Sequence, residues 1–75
     1  VKISMSFQDA LDVASEQGQL LDRNRGNKVV AMRFHAAWLN VRRTIHRDFP
    51  DCYGDPDDIA DPQTIELADA MLDEA

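Results

Sequence analysis

The chain has 75 residues, with 8 Lys/Arg against 14 Asp/Glu and a net charge of −6. That length leaves room for one small core, so a single small domain over residues 1–75 with tight stability is expected. Its lone cysteine, Cys52, excludes an internal disulfide and a multi-cysteine zinc site, and the acid excess argues against non-specific attraction of the whole molecule to nucleic acid or anionic lipid.

Charge is also sorted along the chain. Seven of the eight basic residues lie between Arg23 and Arg47, whereas the chain from Asp51 onward carries nine Asp/Glu and no basic residue. Apolar stretches are short beside the roughly 20 residues that span a bilayer, and the first seven residues lack a signal peptide's apolar core. No membrane association is expected. A single thiol suits a reducing compartment, which points to the cytoplasm.

The first helix is predicted from Phe7 to about Leu21. Ser6 can cap it with Asp9 three residues on, and Phe7, Ala10, Leu11, Ala14, Gly18 and Leu21 recur on one face. Gly18 costs about 1 kcal/mol relative to Ala in a helix interior, unless it serves the close approach of another helix. A polar loop from Asp22 to Asn27 follows, with Gly26 and Asn27 suited to unusual backbone angles and to capping.

A long central helix is predicted from Lys28 to about Asp48. Val30, Phe34, Ala37, Trp38, Val41, Ile45 and Phe49 share one arc and are expected to face the core. A second, weaker stripe of Val29, Met32, Ala36 and Leu39 points elsewhere, and if left exposed it would mark an interface. Phe49-Pro50 ends the helix. Asp55-Pro56 and Asp61-Pro62 each read as a cap followed by a proline at the first helical position. They start a short turn from Pro56 to Ala60 and a third helix from Pro62 toward Glu74, whose apolar face is Ile65, Ala68, Met71 or Leu72, and Ala75. No strand, repeat or low-complexity tract is evident.

Several constellations invite a chemical reading and have plainer accounts. Arg33, Arg42, Arg43 and Arg47, with His46, would suit phosphate contacts, but a solvated surface pairing with the acidic C-terminal segment explains them as well. A helix-turn-helix is disfavoured because the loop before the second helix is too long and Lys28-Val29-Val30-Ala31-Met32 offers little to base edges. Asp55, Asp57 and Glu66 fall at calcium-loop spacing, yet Ile59, Ala60 and Pro62 break the pattern and caps explain the aspartates. The acidic segment Asp55, Asp57, Asp58 and Asp61 would also suit mimicry of a phosphate backbone, although a solubilising tail has the same composition. Cys52 with His46 or His35 forms no catalytic set, and Cys52 is read as a small apolar plug in the turn. Trp38 is read as core.

The sequence therefore predicts an all-α, small three-helix domain with a long central helix, dimeric through the stripe of Met32 and Leu39. No enzymatic activity, metal or cofactor is expected. The functional expectation is a small acidic regulator or inhibitor that binds another macromolecule, foremost a protein. Such chains are frequent among accessory genes of phages and plasmids, which is association and not physics. Met32, Ala36 and Leu39 would supply apolar area, Arg43 and Arg47 would orient the partner, and Asp55, Asp57, Asp58 and Asp61 would form a separate acidic patch. The alternative is a nucleic-acid-binding accessory protein using the basic central helix.

Overall fold

The computed structural model describes residues 3–74. They form helices α1 (Phe7–Arg23), α2 (Lys28–Asp48) and α3 (Pro62–Glu74), with one 3₁₀ turn at Pro56–Asp58 and no strand among the described residues. Local chemistry sets each boundary. Asp9 donates its N–H to Ser6 Oγ at 3.0 Å, capping α1. The helix runs two residues past the expected end and stops at Asn24, whose side-chain amide donates to the Leu20 carbonyl. Gly26 then takes φ +86°, a left-handed angle that favours glycine. Asn27 restarts the helix by accepting the N–H groups of Val29 and Val30. Pro50 stops α2 as expected, and the Phe49 N–H makes the last bond, to the Ile45 carbonyl. Asp55 caps the 3₁₀ turn through the Asp57 N–H, and Asp61 caps α3 through the Thr64 N–H and hydroxyl, all at 2.9 Å.

Both α1 and α3 pack on α2 and hardly on each other. The shared core consists of Ala10 and Ala14 from α1, Ala36, Ala37, Leu39 and Val41 from α2, and Ala68 and Met71 from α3. Its small side chains let the helices approach closely. Gly18 extends that contact, since a Cβ there would lie 3.2 Å from the Phe34 ring. The all-α, three-helix expectation therefore holds, and among the described residues no helix is long and apolar enough to cross a membrane. Ala75, expected on the α3 face, lies outside the described residues.

Four expectations about side-chain placement are corrected. Ala36 and Leu39 of the weaker stripe are fully buried within the chain, while Met32 and Val29 at its edge stay exposed. Arg43, expected on the solvent side, is buried. Phe49, expected in the core, is exposed, and Cys52 is an exposed free thiol instead of an apolar plug. Phe49 is the C-cap, already off the helical path at φ −133°, whereas the first two share one cause. At about 100° per residue, the buried residues from Leu39 round to Val41 span roughly 200° of α2, because this helix must cover two neighbours. Asn40, Arg43 and Thr44 occupy the middle of that arc, so hydropathy alone splits it into two separate stripes.

Candidate functional site

Arg43 organises the surface around the end of α2. Its guanidinium is only 6% exposed and holds Asp57 with two hydrogen bonds, Nε to Oδ1 at 2.8 Å and Nη2 to Oδ2 at 3.0 Å. Nη1 donates to Asn40 Oδ1 at 3.0 Å and lies 2.9 Å from Asp69 Oδ1, an ionic contact off the axis of a hydrogen bond. Asn40 in turn donates to the Ala68 carbonyl at 3.1 Å. One planar fork thus ties α2 to the 3₁₀ turn and to α3, a geometry that lysine cannot reproduce. The hydrogen bonds from Arg43 hold the Asp57 carboxyl below its ordinary range, against the opposing effect of partial burial.

The segment between α2 and the 3₁₀ turn is fixed by backbone bonds as well. The N–H groups of Cys52 and Tyr53 both donate to the Phe49 carbonyl, at 3.1 and 3.3 Å. His46 Nδ1 reaches the Tyr53 carbonyl at 2.9 Å, which requires the tautomer or charge state that carries a proton on Nδ1. Pro56 is buried beneath. With its backbone turned inward, this segment sends its large side chains outward.

The result is an apolar platform. Phe7, Phe49, Tyr53 and Ile59 are 41%, 58%, 55% and 86% exposed. Two adjacent depressions run across it, of about 410 and 330 Å³. The first lies between Arg42, Ile45, Tyr53, Pro56 and Ile59, the second between Phe7, Ile45, Asp48, Phe49 and Tyr53, so Ile45 and Tyr53 form the ridge they share. With aromatic side chains presenting 150–250 Å² each, the exposed apolar area is on the order of 400 Å², within the range of functional patches. Arg42 stands exposed at the rim without an ion pair among the described residues, and Asp48 and Asp55 line the opposite edges.

The residues singled out in the sequence do not assemble into one surface. Met32 borders a shallow depression with Gln63, Glu66, Leu67 and Ala70, on the side facing α3. Arg47 pairs with Asp48 at 2.9 Å and donates to the carbonyls of Ile3 and Met5, which fastens the N-terminal segment to α2. Arg33 pairs with Glu74 across to α3. The expected row of outward arginines is therefore largely engaged within the chain, and Arg42 is the member left open. The acidic residues are likewise divided: Asp55 and Asp61 cap, Asp57 pairs with Arg43, and Asp58 is exposed in the 3₁₀ turn. No group of three or more His, Cys, Asp or Glu side chains is placed to hold a metal among the described residues.

Sequence reasoning did not read Phe7, Phe49, Tyr53 and Ile59 as binding residues, having placed Phe7 on the apolar face of the first helix and Phe49 in the core stripe. The available signal was positional: Ile59 stands among caps, with no helical register to bury it, and Tyr53 lies in a turn two residues beyond a helix stop. Comparison with known proteins adds no assignment, since no family model, curated protein or solved structure matches the chain.

Proposed function

We propose that the chain is a non-enzymatic regulator or inhibitor that acts by binding another protein through the Tyr53 platform. The observation that carries this reading is the continuous exposure of Phe7, Phe49, Tyr53 and Ile59 around two joined depressions. A standard interface buries about 800 Å² per partner, somewhat over half of it apolar, so a patch of about 400 Å² has the size of an interface centre. Aromatic and aliphatic anchors seated in depressions are the usual hot spots of such contacts.

The charge pattern narrows the partner. Asp48 and Asp55 line the platform's depressions, and the exposed Asp51 and Asp58 lie close in sequence to Tyr53 and Ile59, against Arg42 at the rim and the Asp48-paired Arg47. The fitting partner presents apolar side chains flanked by lysine or arginine, and attraction of opposite charge would speed its association at low salt. This surface replaces the stripe of Met32, Ala36 and Leu39, two of whose residues serve the chain's own core. A homodimer through the platform is the competing occupant, for which the net charge of −6 is unfavourable.

The test compares capture from native lysate by the parent, Tyr53→Glu, Ile59→Glu and a Met32→Glu control, with circular dichroism verifying the fold of each. Support is a partner that binds the parent and Met32→Glu, weakens at least tenfold with either platform variant, and loses affinity as salt rises. Equal capture by all four proteins would overturn the assignment, as would a parent that sediments as a dimer and both platform variants as monomers.

A further inference from the structure

A groove on a different part of the fold stands apart from the platform. Because α1 and α3 lean on α2 without closing on each other, this groove of about 190 Å³ runs between them. Its apolar walls include Met5 and Val13 on one side and Met71 on the other, with Ala37 in the floor. Gln17 projects from α1 into this wall. It is only 9% exposed, and its Oε1 accepts no hydrogen bond among the described residues. Buried amide oxygens are rarely left so, because an unmet acceptor costs about 1–3 kcal/mol. Asn40, the other amide in the groove, is already committed through both ends, to Ala68 and Arg43.

We propose that this groove binds a small molecule with an apolar body and one N–H donor, which meets the Gln17 carboxamide. Size sets the first limit: a cavity of about 150 Å³ takes up benzene, so about 190 Å³ admits a single ring with a short polar head. Charge sets the second. Glu16 and Glu74 stand at the mouth with Arg33, and Arg33 is already paired with Glu74 at 3.0 Å. The remaining balance is negative, which favours a neutral or cationic head and disfavours a carboxylate. The terminal torsion of glutamine is soft, so a partial turn of the carboxamide brings Oε1 from the wall toward the donor as the ligand enters, without the half-turn that would bury its NH2 instead.

The chain carries its own reporters. Met5 and Met71 line the groove, whereas Met32 lies on another face. Titration of methyl-labelled protein with benzylamine, benzamide, benzoate and toluene, read by methionine methyl resonances, decides the matter. The expected result is saturable shifts at Met5 and Met71 with benzylamine or benzamide, none at Met32, and at least tenfold weaker response to benzoate and toluene. Gln17→Leu, which removes the amide while keeping an apolar side chain, is expected to weaken the two nitrogen ligands at least fivefold without altering the unliganded spectrum elsewhere. No saturable shift with any probe at millimolar concentration overturns the proposal. So does equal binding of toluene or benzoate, or unchanged affinity in Gln17→Leu.

Discussion

Arg43 shows how one side chain can govern both stability and the shape of a surface. Breaking a buried ion pair from one side costs about 3–5 kcal/mol when both charges are enclosed, but Asp57 and Asp69 remain partly exposed, and solvent screening lowers that figure. Arg43→Met is expected to lose about 2 kcal/mol, measured by urea unfolding. The same pair sets an acid response. The Asp57 carboxyl is held below its ordinary range in the folded chain, so its contribution is complete above the unfolded value of about 3.9 and fades as pH falls through the lower folded value. Melting curves between pH 6 and 2.5 should show that loss in the parent, and Arg43→Met should show a smaller one. Gln17→Leu is expected to act oppositely, raising stability by about 1 kcal/mol by deleting an acceptor without a partner. A fall of similar size in the same urea experiment would mean that the Gln17 amide is satisfied after all.

At the scale of elements, the helices were legible because their ends are written in cap chemistry. Ser6, Asn27, Asp55 and Asp61 each accept the N–H groups that begin a helix or turn, and Pro50 and Pro62 are decisive from residue type alone. Gly26→Ala is expected to cost about 1 kcal/mol, since it forces a Cβ into φ +86°, and Asn27→Ala about 1 kcal/mol through loss of the α2 cap. Thermal melts followed by circular dichroism would register both, and an unchanged Gly26→Ala would argue that the α1–α2 turn adjusts freely. What remained illegible was the facing of α2. A helix serving two neighbours has a buried arc too broad for a single stripe, and Arg43 and Asn40 at its middle carry no hydropathy signal. Their burial follows from partners 14 and 28 residues away, Asp57 and Ala68. The platform was hidden for the converse reason, because Phe49 and Ile45 continue an apolar stripe whose outer edge nothing in the chain covers completely.

For the whole molecule, the radius of gyration of 12.0 Å is close to the roughly 11 Å expected of a compact chain this long. The apolar stripe that suggested obligatory self-association is in large part consumed internally, so sedimentation at micromolar concentration is expected to give a monomer. A dimer persisting in both Tyr53→Glu and Ile59→Glu would require an interface away from the platform. The arrangement of α1 and α3 has a dynamic consequence. Like two covers hinged on one spine, they are expected to lift separately, and native-state amide exchange should resolve one opening for each. A small molecule wedged in the gutter would rest against both covers, so its signature would be the merging of two independent openings into one.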